Sequence, residues 1–249
     1  MLKMNYLKVM SAVIVMAGAC LLMSCGSSRL SGDKRPQMKA DNGKKVEATQ
    51  IVDLGLESGT LWAGWNIGAN SPEGCGDYYA WGEVKTKKKY DWDDYFDLKS
   101  KGKDEITFNA FKPEGNSTIM GNPDVDVATA LWGAHWSMPS KAQIDELLRD
   151  CQWTWTSLKG RHGFVVKGPN GKCLFLPAAG CYFESSNQLT VNHGGISQFD
   201  QTCFYWCGEL DDSYDTRASC LIMCEDYPKF YDRNGSRSDG KPVRAVYHP

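Results

Sequence analysis

The sequence predicts an α+β domain of short strands, few helices and long loops, carried behind a signal peptide and a flexible tether. Three observations predict it. The chain opens with a basic and then apolar segment of the export type, and a polar stretch without apolar periodicity follows. From Ile51 onward, short apolar segments rich in aromatic residues alternate with Gly- and Pro-marked turns, across a chain holding eleven Tyr, nine Trp and 25 Gly. No internal repeat of 20 to 50 residues suggests a solenoid or propeller.

The export segment comes first. Lys3 and Lys8 form a basic start, and Val9 to Met23 is a nearly continuous apolar run. That run is shorter than the roughly 20 residues a membrane span needs. It ends Leu22-Met23-Ser24-Cys25, which resembles a bacterial lipobox. Residues 1–24 are therefore expected to be a lipoprotein signal peptide and Cys25 the lipidation site, with Cys20 a weaker candidate. Several acyl chains on one residue give stable anchoring, since each buried CH₂ contributes about 0.8 kcal/mol. Residues 25–50 read as lipidated Cys and tether, and residues 51–249 as one folded domain. Losing Lys3 and Lys8 leaves 26 basic against 30 acidic residues, a net charge of −4. With no basic stripe interleaved with aromatics, nucleic acid is not an expected partner. The run Lys85 to Lys89 reads as a solvated loop.

Within the domain, Ile51 to Leu56 and Leu61 to Ile67 are expected to be strands around the turn Glu57-Ser58-Gly59-Thr60. Gly68 to Lys89 reads as a packed loop. Residues 97–124, rich in Gly and Pro, read as the most mobile stretch. A short helix is expected over Asp124 to Trp132. The clearest helix starts at Ser140, which stands in capping-box spacing with Gln143. Ile144, Leu147, Leu148 and Cys151 give it an apolar stripe. Gly163 to Lys167 and Lys172 to Pro177 flank Gly168-Pro169-Asn170-Gly171, and Asn-Gly between apolar runs signals a hairpin. Thr202 to Trp206, Arg217 to Met223 and Pro242 to Tyr247 are the later strand candidates.

Six segments together resemble a known family. VDLGLESGTLWAGWNIGA (52–69), GDYYAWGE (76–83), ALWGAHWSMPSKAQIDELL (130–148), LFLPAAG (174–180), FYW (204–206) and GKPVRAV (240–246) are similar, in this order, to the Fibrobacter succinogenes major paralogous domain of secreted proteins and lipoproteins. The resemblance covers roughly residues 51 to 247. It implies a C-type lectin-like fold with its first and last strands close together. Two places depart from the family pattern: Cys207-Gly208 stands where Ser is usual, and Ala245 stands where the closing Arg-Pro-Val has Pro. Neither Glu-Pro-Asn nor Trp-Asn-Asp occurs, so calcium-dependent sugar binding is not carried over. A lectin-like fold does not by itself assign a function.

No nucleophile elbow, zinc-protease motif, phosphate loop or dinucleotide fingerprint is present. The four histidines (135, 162, 193, 248) are scattered. Glu209, Asp211, Asp212 and Asp215 could offer oxygen ligands to a hard cation, but their spacing is not that of an EF-hand, and a solvated loop is the better reading. No cofactor or metal is expected, and no catalytic residue.

Cysteine is the more distinctive signal. Setting aside Cys20 and Cys25 leaves eight, and an exported protein can oxidise them, with 105 possible connectivities if all pair. In CFYWCGELDDSYDTRASCLIMC (203–224), one antiparallel register sets Cys203 opposite Cys224 and Cys207 opposite Cys220. It sets Phe204 opposite Met223 and Trp206 opposite Leu221 on the other face. Directly opposite residues lie about 4.5–5.5 Å apart, within disulfide reach. One zinc ion could not take all four, because Cys203 and Cys207 would stand about 13 Å apart along a strand. Two cross-strand disulfides lead. Free or differently paired thiols, a metal site and thiol catalysis are the alternatives.

The expected function is a lipid-anchored cell-envelope protein, of the outer membrane, with a non-catalytic ligand-binding or adhesion domain. Tyr214, Tyr227, Tyr231 and Arg233 are the candidate ligand contacts, because Tyr and Arg suit recognition surfaces. The partner would be a protein or glycan, with the membrane engaged through the lipid. The alternatives are a structural or fimbria-like assembly subunit and, last, a sulfatase-maturation-like or thiol oxidoreductase enzyme. Periplasmic and surface-exposed locations are both open at this stage.

Overall fold

Alternation of apolar and polar residues, interrupted by glycine turns, yields fourteen short strands, two α-helices and a single 3-10 turn of helix at Trp92–Asp94 among the described residues. The computed structural model describes residues 51–95, 118–183, 196–211, 214–226 and 235–249, and the backbone alone at 98–100, 106–108 and 191–192. The signal, the lipobox with Cys25 and the tether lie outside the described residues. So do His193, Asp212 and much of the 97–124 stretch. No described helix is long and apolar enough to cross a membrane.

The strands are β1 (Ile51–Asp53), β2 (Leu61–Ala63), β3 (Leu98–Ser100), β4 (Ile106–Phe108), β5 (Trp136–Ser137), β6 (Gln152–Leu158) and β7 (Arg161–Lys167). They continue as β8 (Cys173–Pro177), β9 (Val191–Asn192), β10 (Ile196–Ser197), β11 (Thr202–Leu210), β12 (Arg217–Cys224), β13 (Gly235–Ser236) and β14 (Val246–Tyr247). The helices are α1 (Val127–Trp132) and α2 (Lys141–Asp150). Every described strand pair is antiparallel. The larger sheets run in the orders β1-β2-β14-β5, β6-β7-β8 and β11-β12-β13. The result is an α+β domain dominated by antiparallel sheet.

Both helices begin on side-chain caps. Ser140 accepts from the Gln143 amide at 3.1 Å while the Gln143 side chain accepts from the Ser140 amide at 2.8 Å, the reciprocal box expected. Asp126 caps α1 and also accepts from the amides of Gly121 and Met138. Burial raises its pKa even though these amides pull it down. It ties the 118–126 loop, α1 and the end of β5 to one carboxylate. Glu146 is buried. It accepts from the amide and hydroxyl of Ser58 and so docks the β1–β2 turn on α2.

Several expected boundaries shift. The first strand stops at Asp53 and the second at Ala63, the short helix starts at Val127, and only Val246–Tyr247 of the expected 242–247 strand is paired as strand. β6 was not among the expected elements, although Trp153 and Trp155 alternate with Gln152 and Thr154 in the strand's own period. The Asn-Gly hairpin holds: β7 and β8 pair from Gly163↔Pro177 to Lys167↔Cys173, with Gly171 at φ 81°.

The β11–β12 hairpin is one residue out of the expected register. Cys203 faces Met223, Tyr205 faces Leu221 and Trp206 faces Cys220, with a bulge between Trp206 and Leu210. The physical reason is that both faces are buried. Cys203, Tyr205, Cys207, Leu221 and Met223 pack in one core with α2, β7 and β8, while Trp206, Leu210, Ala218 and Cys220 pack in a second with α1 and β5. A strand apolar on both faces does not specify its register by alternation. Close packing at the bulge bears on it too: a Cβ on Gly208 would lie 2.2 Å from Met120 Cγ. Gly208 also accepts from the Ile119 amide and donates to the Pro139 carbonyl. Cys203 and Cys220 thus point into different cores, and no disulfide joins Cys203 to Cys224 or Cys207 to Cys220. The cross-strand staple expected from the sequence is corrected.

Segment 235–247 closes the fold mostly as coil. Its Arg244 is wholly buried and donates to Asn66 Oδ1 at 2.9 Å, to the Ala63 carbonyl at 3.2 Å and to the Phe175 carbonyl at 2.8 Å. Replacing Arg244 with Leu leaves these acceptors without a donor. The expected loss is roughly 3 kcal/mol or more, since each orphaned buried group costs ~1–3 kcal/mol. Urea unfolding measures it, and a loss below about 1 kcal/mol would show that the guanidinium is dispensable.

Candidate functional site

The tip between β11 and β12 is the part of the hairpin that neither core covers. Asp211 Oδ1 accepts from the Tyr214 amide at 3.0 Å, an Asx-type bond that starts the turn. The Tyr214 carbonyl accepts from the Arg217 amide at 2.9 Å, and the Arg217 carbonyl accepts from the Asp211 amide at 3.0 Å. These bonds leave Tyr214 57% exposed, with the Arg217 guanidinium 5.2 Å from the centre of its ring. The pair offers an aromatic face beside a cation.

The tip is braced from within. The buried Arg237 donates to the Asp215 carbonyl at 3.1 Å and to the Tyr95 hydroxyl at 2.9 Å, and its guanidinium lies against the rings of Trp81 and Tyr95. Its amide donates to the Thr216 carbonyl. A buried cation thus holds the backbone of an exposed loop, the arrangement a preorganised recognition tip needs.

Of the candidate ligand contacts, Tyr214 is exposed as expected. Tyr227, Tyr231 and Arg233 lie outside the described residues. Arg217, which the sequence reading did not select, joins Tyr214 through the turn. Asp212 of the acidic cluster lies outside the described residues, and Glu209 and Asp211 face different tasks. Glu209 turns inward, where burial raises its pKa, and it accepts from the Lys141 amide at 2.9 Å. Asp211 serves the turn. Among the described residues, no group of three His, Cys, Asp or Glu is placed to hold a metal ion.

The cysteines are dispersed. Burial raises the thiol pKa of Cys75, Cys181 and Cys203, and takes Cys151 up to about 11. This is the reverse of the lowered pKa that makes a thiol reactive at neutral pH.

The histidines, scattered in sequence, find partners in space. His135 and His248 are tied together beside β14: His135 Nδ1 donates to the His248 carbonyl and the His248 amide to the His135 carbonyl, both at 2.7 Å. His162 Nδ1 lies 2.8 Å from Asp200 Oδ2, and its amide donates to Asp200 Oδ1 at 2.8 Å. The His162 ring stacks on Trp155, while Arg161 reaches Asp200 Oδ1 at 3.2 Å and lies over Phe199. Thirty-eight residues separate His162 from Asp200, so no local motif announced the pair.

Compared with family models, curated proteins and solved structures, the chain matches none.

Two outcomes are expected. Peptide mapping without reduction should recover no 203–224 or 207–220 linkage, and finding either would overturn the observed register. Asp200 is partly buried, which opposes ionisation, but the His162 bonds bring its pKa below the ordinary value. Its stabilising contribution is then present above the unfolded-state pKa of about 3.9 and lost as pH falls through the folded value. Asp200→Asn should flatten that acid limb in stability measured against pH, and an unchanged limb would remove Asp200 as its source.

Proposed function

We propose that this chain is a lipid-anchored cell-envelope protein whose domain, of the Fibrobacter succinogenes major paralogous type on a C-type lectin-like fold, binds a protein or glycan ligand without catalysis. The observation that carries the binding role is the exposed Tyr214–Arg217 pair on a loop braced by buried Arg237. Aromatic and arginine side chains held in place before binding make strong recognition contacts, because little entropy is lost on engagement.

Two features support the family reading. The segments that resemble the family bond to one another: Trp206 donates to the Tyr79 carbonyl, and Tyr79 and Lys241 exchange backbone bonds. The last strand, β14, pairs with β2 beside the first strand, as a lectin-like closure requires. The lipobox motif at Cys25 supports an envelope location, in the outer membrane. Protease treatment of intact cells distinguishes a surface-exposed domain from a periplasmic one.

The test is a glycan and protein array probed with residues 49–249. A ligand retained at micromolar concentration is expected. Tyr214→Ala and Arg217→Ala should each weaken it by roughly tenfold, the effect of a ~1.4 kcal/mol contact. Binding unaffected by both substitutions would move the site elsewhere, and no ligand at all would count against the binding role.

A further inference from the structure

The long strands of this domain differ in how their free edges are finished. β8 is covered: Cys203, Tyr205 and Arg244 place donors on the carbonyls of Leu176, Pro177 and Phe175. β11 is covered too, with the Trp206 amide donating to Pro242, the Gly208 amide to Pro139, and Ile119 and Trp81 donating to the carbonyls of Gly208 and Cys207. β6 is the exception. Its seven residues pair with β7 from Gln152↔Lys167 to Leu158↔Arg161, it is the edge of its sheet, and its outer backbone makes no hydrogen bond to any described residue.

Nothing in its sequence protects that edge. QWTWTSL has no charge, no proline and no glycine, and its residues favour extended structure. Natural edge strands are blunted by charges, proline, bulges or a covering segment, because a bare row of amides and carbonyls recruits another strand. The indoles of Trp153 and Trp155 are only partly buried, so a neighbouring strand would also cover aromatic surface.

We propose that β6 pairs antiparallel with β6 of a second copy across a two-fold axis, joining two three-stranded sheets into one of six strands. A pairing centred on Trp155 sets Thr154 opposite Thr156 in both halves, a favourable cross-strand pair, and brings no like charges face to face within the strand. The charges that flank the strand are paired within each copy, Asp150 with Arg149 and Lys159 with Glu73, so neither end brings an uncompensated charge to the seam. The interface is isologous and closes on itself, giving a dimer rather than an open filament. This surface is separate from the Tyr214–Arg217 tip and does not depend on it.

The test is co-purification of two differently tagged full chains expressed together. Wild-type copies should co-purify. Thr154→Lys/Thr156→Lys sets like charges opposite each other, so that variant should not co-purify with itself, and neither should Thr154→Glu/Thr156→Glu. The Lys form with the Glu form should restore the pair, which also shows that both variants fold. Failure of the wild-type copies to co-purify overturns the proposal, including the case in which the edge instead takes an extended peptide of another protein. Pairing that persists in both like-charged variants overturns the assignment to β6.

Discussion

The fold depends on three cations buried in one stretch of coil. Arg237, Lys241 and Arg244 lie within the closing segment, and all are fully buried. Each binds a different part of the molecule. Arg237 lies against Trp81 and Tyr95 and bonds the β11–β12 tip. Lys241 reaches Asp239 at 2.7 Å and lies 4.0 Å from the centre of the Trp206 ring. Burial opposes its charge, yet Asp239 raises its pKa above the ordinary value. Arg244 bridges β2, β8 and the loop at Asn66, and burial brings its pKa down to about 10, so it stays charged at neutral pH. A coil inside a protein has backbone groups to satisfy, and here the neighbouring segments supply partners: Tyr79 and Lys241 bond reciprocally, and Trp206, Ile67 and Ala63 donate to Pro242, Val243 and Ala245. Removing one partner of such a contact is costly because the other stays buried.

That segment lies between two cores which the β11–β12 hairpin divides. A septum strand must be apolar on both faces, which explains a composition that first resembles a metal or redox motif. Cys203, Cys207 and Cys220 are wholly buried and act as small apolar side chains filling positions beside Tyr205, Leu221 and Trp206. What holds the tip is Arg237 from below and the Asp211 turn from within.

Local signals were legible in the sequence and long-range ones were not. The capping box at Ser140, the Asn-Gly turn and the short helix before Trp132 each depend on residues a few positions apart, and all three form. Glu146 and Asp126 were illegible because their burial depends on Ser58, Gly121 and Met138 arriving from elsewhere. The hairpin register failed for a related reason: alternation carries register only where one face is wet, and here neither is. At the candidate site, exposed Tyr214 could be picked from the loop's composition. Its partnership with Arg217 and the brace from Arg237 could not, since the brace depends on a residue beyond β12.

The tip and the β6 edge have opposite physical characters, and this is the reason to assign them different partners. The tip is side chain on a fixed backbone, so under the proposed binding role it would discriminate by chemistry: an aromatic face and a guanidinium. The outer backbone of the edge makes no hydrogen bond to any described residue and its side chains are uncharged, so the proposed pairing would discriminate poorly and favour whatever extended strand is present at highest local concentration. If the chain carries the proposed lipid anchor, that strand would belong to another copy held in the same membrane. Pairing there would present two tips together, and a ligand with repeated epitopes would then be held far more tightly than a single weak contact allows, because the second engagement is intramolecular. A small exposed contact such as Tyr214–Arg217 would suit such a design, in which each tip would bind weakly and specificity would come from the spacing of two.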